Sequence, residues 1–208
     1  YALLLTGGRS ALLGLGGGLL ILFLLLNARI KIIILALFIA GCIPLYFFSD
    51  VFITFDRAGD FESDYAFRST IWKEAFEIFT ENPLLGIGSG NYQKHVQYYS
   101  LDQYFIYDNE VLFFDQPENG YLKILVEFGI FGFVIFLLFI ILPITNAINS
   151  FLKGNRNLTN FFFIASIVSC LIAFNSVYSL SDRRIMIILV SLLSFLIASE
   201  SQPVKQNE

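Results

Sequence analysis

One stretch, Phe113 to Phe133 (FFDQPENGYLKILVEFGIFGF), carries polar side chains straight into a helix that becomes wholly apolar. Glu118, Asn119, Tyr121, Lys123 and Glu127 are therefore held where water meets lipid, and this placement invites a reaction at that boundary, on the outer side of a membrane. Arg9 lies in another apolar segment. A charge at membrane depth is costly and functional by default; the plain alternative is an arginine snorkelling to the interface. Leu84 to Tyr92 (LLGIGSGNY) alternates Gly86, Gly88 and Gly90. A backbone nest for an anion and a tight connection under a helix both fit, and the connection is the favoured reading. The segment has neither the Gly-Lys-Ser/Thr of a Walker loop nor a strand before it. His95, the sole histidine, reads as a structural or surface residue more readily than as a base.

The elements that hold these residues are membrane-grade. The chain has 208 residues, 56% of them hydrophobic and 14% charged, with mean hydropathy +0.70. Soluble domains are about a quarter charged, so the expected class is an all-α integral membrane protein. Five spans are expected: residues 11–26, 32–48, 122–148 (interrupted by Glu127 and Pro143), 161–179 and 185–198. The first is short of the roughly 20 residues that a span needs, which places TGGRS (Thr6 to Ser10) partly within membrane depth. Gly14, Gly16, Gly17 and Gly18 give it a small-residue face for close packing on a neighbour. Residues 1–48 thus form two transmembrane helices, 49–117 one large loop with short helices, 118–198 three more transmembrane helices and 199–208 a tail. Tyr1 starts abruptly in apolar sequence, as expected of the C-terminal part of a larger membrane protein.

Charge is unevenly placed. All but four of the 17 acidic residues (Glu127, Asp182, Glu200 and Glu208) fall between Asp50 and Glu118. The short turns at residues 27–31 and 153–160 carry Arg29, Lys31, Lys153 and Arg156 and no acid, so they and the tail are expected on the cytoplasmic side. The acidic loop, Arg9 and Asp182-Arg183-Arg184 then lie outside. Arg183 and Arg184 run against the positive-inside bias, either as a tolerated exception or because an anion is held there. No basic cluster suits nucleic acid. Cys42 and Cys170 read as small buried hydrophobes, and no metal-ligand spacing exists.

Within the loop, Phe67 to Thr80 (FRSTIWKEAFEIFT) has Ile71, Ala75, Ile78 and Phe79 at helical spacing. Ser69 is the expected cap and Asn82-Pro83 the stop, which puts Arg68 at the helix start. Trp72 reads as core rather than as a sugar platform. The tyrosine-rich run His95 to Asp108 suits sugar stacking, but interfacial anchoring is the plainer reading. Lys123 and Glu127 are four apart in the less favourable order and read as a structural pair.

Three of these segments, in order, resemble the O-antigen ligases and the related O-antigen and capsule polymerases of bacteria. TGGRSALLGL is similar to their arginine-containing helix start. FRSTIWKEAFEIFTENPLLGIGSGNY resembles their Arg-x-x-x-Trp helix followed by Asn/His-Pro-Leu-x-Gly-x-Gly-x-Gly-x-Phe/Tyr. ENGYLKILVEFGIFGF resembles their His-Asn-x-Tyr-Leu-x-x-Leu-x-Glu-x-Gly-x-x-Gly segment. The likeness runs from about residue 3 to residue 140.

The resemblance implies a GT-C-like glycosyltransferase of the bacterial inner membrane, with its large loop facing the periplasm. Such an enzyme moves a glycan from undecaprenyl pyrophosphate to a sugar hydroxyl, without cofactor or metal, in the company of the bilayer and other polysaccharide assembly proteins. Arg9 and Arg68 match the two arginines that hold the pyrophosphate, and Arg183 and Arg184 are further candidates for the anion. Asn119, Tyr121, Gly88 and Gly90 are candidates for substrate binding. Glu118 stands where relatives carry histidine. A carboxylate raised in basicity by lipid-side desolvation can still take the acceptor proton. A Pro-Glu-Asn/Ser-Gly-Tyr-Leu variant among polymerase-type members is similar to Pro117–Leu122 and tilts the expectation from ligase toward polymerase. A transporter fragment, or a scaffold with an exoplasmic binding loop, is the non-enzymatic alternative. The transporter is disfavoured because residues 161–179 and 185–198 hold little polar beyond Asn175 and serines.

Overall fold

The computed structural model describes residues 9–25, 28–33, 36–37, 40, 61–99, 104–107, 110–153, 158–175 and 182–200. Most of the expected second span, Thr6 to Gly8, Cys42, the start of the acidic loop, residues 154–157 of the second basic turn and residues 201–208 lie outside the described residues.

Apolar runs with good helix formers become α1 (Arg9–Leu25), α4 (Gly120–Leu152), α5 (Leu158–Phe174) and α6 (Arg183–Glu200). Among the described residues, α4 is the one helix long and apolar enough to cross a membrane; α1 and α5 are shorter apolar helices. Ile140 and Ala147 of α4 bury against Ile164 and Ile167 of α5 and Leu189, Leu193 and Leu196 of α6. Burying each of the larger side chains is worth about 1.5–3 kcal/mol when the alternative is water. In lipid the same contacts act through close packing alone. That packing is tightest between α1 and α5, where Gly14 and Gly18 are buried. A Cβ on Gly14 would lie 2.6 Å from the Ser169 carbonyl, and one on Gly18 would lie 3.0 Å from that of Ala165. Gly16, on the other side, faces open space.

The loop is a small module with its own core. Helix α2 (Phe61–Glu81) starts six residues before the expected Phe67. Ser69 therefore does not cap it; its Oγ donates to the Ala66 carbonyl, and Arg68 sits in the helix body. The stop at Asn82-Pro83 is as expected. Ile71, Ala75 and Ile78, on one helical face, are buried. Ala75 and Ile78 meet Tyr92 and Val96 of α3 (Tyr92–Val96) and Val126 of α4. Tyr99 donates to the Glu81 carboxylate, and chiefly this hydrogen bond, which holds the phenol protonated, pushes it up to about 12.

The tyrosine-rich run holds the one element class the sequence reading lacked. Strands β1 (Tyr104–Tyr107) and β2 (Glu110–Phe113) pair antiparallel, with Tyr107 opposite Glu110. Gln93 of α3 donates to the Phe113 carbonyl and holds the hairpin to the module.

Helix α4 is broken, but neither at Glu127 nor at Pro143. The break is Gly129, at φ 65° and ψ −170°. There the helix exchanges backbone hydrogen bonds with the glycine loop. Ile87 N–H donates to Val126 O and Gly88 N–H to Glu127 O, while Ile130 N–H returns to Pro83 O. The two backbones touch: a Cβ on Gly129 would collide with the Leu84 carbonyl, and one on Gly86 (φ 71°) would lie 2.5 Å from Glu127 C. Beyond the break, about 23 helical residues at 1.5 Å each span about 35 Å, enough for a hydrocarbon core.

Gly129→Ala should therefore cost about 1–3 kcal/mol for the left-handed backbone, and more for the clash. Gly16→Ala, in open space, should be neutral or slightly stabilising, since alanine favours helix over glycine. Thermal unfolding of both variants in detergent micelles checks the contrast.

Candidate functional site

Asn119 decides where α4 begins. Its backbone is extended, and its side-chain oxygen accepts the N–H groups of Tyr121 and Leu122 at 3.0 and 3.1 Å. Two of the orphan donors of a helix start are thus satisfied by an asparagine cap. The Asn119 amide nitrogen donates to Asn175 Oδ1 at the end of α5, 3.1 Å away. Tyr121 Oη donates to the Leu171 carbonyl at 2.7 Å, and its ring meets Phe174 edge-on. Both residues fasten the start of α4 to α5.

The cap leaves Glu118 just outside the helix. Its φ of 51° makes it the sole non-glycine residue with positive φ among the described residues. Such backbone costs about 1–3 kcal/mol and persists where neighbours over-determine it. Here they do. Pro117 on one side is fully buried, Asn119 on the other is the cap, and Lys123 Nζ reaches back to the Asp115 carbonyl at 3.1 Å. Phe67 of α2 packs edge-on against Phe114 of the same loop, one residue from Arg68. The outcome is an ion pair between Arg68 Nη2 and Glu118 Oε2 at 3.8 Å, with side-chain exposures of 31% and 23%. The pair is therefore partly desolvated yet still reachable. Burial pushes the Glu118 carboxyl above its usual value; the Arg68 guanidinium pulls it back down, and Asp115 adds to the rise. An open groove between α2 and the first turn of α4 is lined by Ser69, Trp72, Lys73, Phe76, Glu77 and Leu122; neither Arg68 nor Glu118 lines it.

The other candidates lie in different settings. Arg9 starts α1, and its side chain is outside the described residues. Gly88 and Gly90 both have positive φ. Their loop's amides turn onto α4: Gly88 N–H bonds the Glu127 carbonyl, and the N–H groups of Gly90 and Tyr92 bond the Glu127 carboxylate. The loop is thus a tight connection, as favoured from sequence, and the anion its amides receive is a side chain of the protein itself. Arg184 pairs with Asp182 at 2.8 Å on an exposed surface, and Arg183 is exposed beside it. His95 Nδ1 lies 3.0 Å from the Asn91 carbonyl, within its own turn. Among the described residues, no group of three or more His, Cys, Asp and Glu side chains could hold a metal ion.

A family model described as O-antigen ligase matches residues 1–137, two thirds of the chain, from before α1 to past the break in α4. The chain belongs to the O-antigen ligase family. It is therefore a membrane protein of the O-antigen ligase and polymerase type. Neither the curated proteins nor the solved structures provide a match. The matched range contains Arg9, the Arg68–Glu118 pair, the glycine loop, Asn119 and Tyr121, and it ends before Arg183 and Arg184. The signal for the pair was present in the sequence as the family-like order of motifs. Nothing in it announced the left-handed backbone of Glu118.

If the cap orders the site, Asn119→Ala should lower stability by about 1 kcal/mol. Asn119→Asp keeps the acceptor and loses only the donor to Asn175, so its loss should be smaller. Thermal unfolding of the two variants side by side reads the difference.

Proposed function

We propose that the chain carries the catalytic loop of a membrane glycosyltransferase that moves a glycan from a polyprenyl-pyrophosphate carrier onto a sugar hydroxyl, polymerising repeat units on the outer face of the inner membrane. The observation that carries this reading is the Arg68–Glu118 pair at 3.8 Å, held on strained backbone at the mouth of an apolar helix. Family membership supports the class of reaction. The Pro117-Glu118-Asn119-Gly120-Tyr121-Leu122 run supports polymerase over ligase.

In this reading, the acceptor hydroxyl attacks the anomeric carbon while Glu118 takes its proton. The bond from that carbon to the pyrophosphate oxygen breaks, and the electron pair leaves with the pyrophosphate. Arg68 and Arg9 neutralise that leaving group; guanidinium suits the task because it is permanently charged and offers paired donors. A base and a leaving group on opposite faces of the sugar give inversion at that carbon. Glu118 is then paired with Arg68 in the resting state, and the incoming pyrophosphate competes for the same cation. As Arg68 turns to the phosphate, its pull on the Glu118 carboxyl weakens and the base strengthens.

Glu118→Gln and Arg68→Ala should each abolish polymeric surface glycan, with protein level unchanged. A polymerase defect leaves single repeat units on the acceptor, whereas a ligase defect leaves long glycan on the carrier, so a gel of both pools separates the two. Wild-type glycan length in both variants sinks the reading.

The pH dependence has a defined sign. The carboxylate is the active form, and burial raises its pKa in the folded protein. Transfer should therefore fall off on the acid side at a pH above the ordinary glutamate value of about 4.3. Arg68→Lys keeps a cation but loses the planar fork, so it should retain slow transfer, and its weaker hold on Glu118 should move the acid limb further up.

A further inference from the structure

Lys123 and Glu127 are buried in the first turns of α4 among Ile124, Val126 and Gly129. A buried ion pair is a poor source of stability, since apolar residues of similar volume are often equal or better. This pair is not built for mutual attraction either. Lys123 Nζ and Glu127 Oε1 stand 4.0 Å apart, in the weaker Lys-before-Glu order, and Glu127 Oε1 has no hydrogen-bond partner. Instead each charge reaches outward. Lys123 donates to the Asp115 carbonyl, three residues before Glu118. Glu127 receives the N–H groups of Gly90 and Tyr92.

We propose that Lys123 and Glu127 are positioning residues for the transfer reaction: Lys123 clamps the loop that carries Glu118 against α4, and Glu127 supplies the counter-charge and ties the clamp to the glycine loop, so that Glu118 faces Arg68. This rests on the reading of Glu118 as the base. The apolar surroundings explain why a charge is used. Lysine is long enough to cross from a helix to the preceding loop and donate to a carbonyl there, and once buried it requires a carboxylate close by. Arg68 on α2 and Asp115 on the loop are the charged groups whose fields act on Glu118; α4 contributes Lys123 through the Asp115 main chain.

The clamp has a kinetic signature distinct from that of a structural pair. If the loop relaxes, Glu118 moves away from Arg68, so folded protein should turn over more slowly and its acid limb should move to higher pH. A merely structural pair would change the amount of folded protein and leave the limb in place. The test uses the full-length protein in membrane vesicles carrying the cells' own carrier-linked glycan, with growth of the glycan ladder followed against pH and rates taken per mole of folded protein. Lys123→Met strands Glu127 and should lower the thermal midpoint. The double variant Lys123→Met/Glu127→Gln removes both charges while keeping an acceptor for Gly90 and Tyr92, and should recover that midpoint. Both variants should remain about ten- to a hundredfold slow in kcat, the range that small misplacements of a catalytic group produce, with the acid limb raised. Lys123→Arg, which keeps charge and reach, should restore part of the rate. A wild-type rate per folded molecule and an unmoved limb in either Met variant overturn the proposal. Glu118→Gln is run alongside. If it stays active, the assignment of the base fails and the clamp with it; if it is inactive while the Lys123 variants behave as wild type, only the clamp falls.

Discussion

Backbone groups in an apolar setting need partners, and a helix that breaks loses some of its own. In this chain the break at Gly129 and the turn at Gly86 solve that problem for each other. The loop donates to the carbonyls of Val126 and Glu127, and the far side of the break donates back to Pro83. Such an exchange requires two backbones in contact, which is why neither position tolerates a Cβ. Everything on the polar side follows from this junction. It fixes α2 and α3 on the first turns of α4, closes the small core of Ala75, Ile78, Tyr92, Val96 and Val126, and so brings Arg68 across to the loop that ends in Glu118.

The site then uses opposed demands. Burial drives the Glu118 carboxyl toward neutrality, while Arg68 favours its charged form. Burial is the stronger of the two, so the carboxyl stands above its usual value, and the Arg68 guanidinium limits the rise. The base proposed for this position needs both conditions: charged at working pH, yet poorly enough solvated to want a proton. Rigid elements surround it. The cap at Asn119, the Tyr121 hydroxyl on α5 and the buried Pro117 leave the backbone of Glu118 few alternatives.

Much of this was legible in the sequence, and the gaps have physical reasons. The apolar runs located α1, α4, α5 and α6, since lipid-facing helices must be apolar whatever they pack against. The face of Ile71, Ala75 and Ile78 locates α2, but its first turn is dominated by Glu62, Ser63 and Asp64 and carries no periodicity, so the sequence does not mark a start at Phe61. The hairpin was hidden because aromatic-rich runs serve strands, helices and interfaces alike; the usable signal was Asp108-Asn109 between two runs of β-formers. The sequence reads as one long apolar helix, with Glu127 and Pro143 as its non-apolar interruptions, and nothing in it marks the break at Gly129. Gly129 yields for a non-local reason, a partner loop more than forty residues earlier in the chain. The conformation of Glu118 is hidden for a different reason: it arises from Pro117, Asn119 and Lys123 acting together, and none of them alone announces it.

The contact between Gly14 and Gly18 of α1 and Ser169 and Ala165 of α5 bears on how the protein is made. These partners lie about 150 residues apart, so at the ~5–20 residues per second of synthesis α1 is made on the order of ten seconds before the surface it fits exists. The order of assembly is thereby set: the polar module and α4 are made while α1 waits, and the arrival of α5 closes the bundle around them.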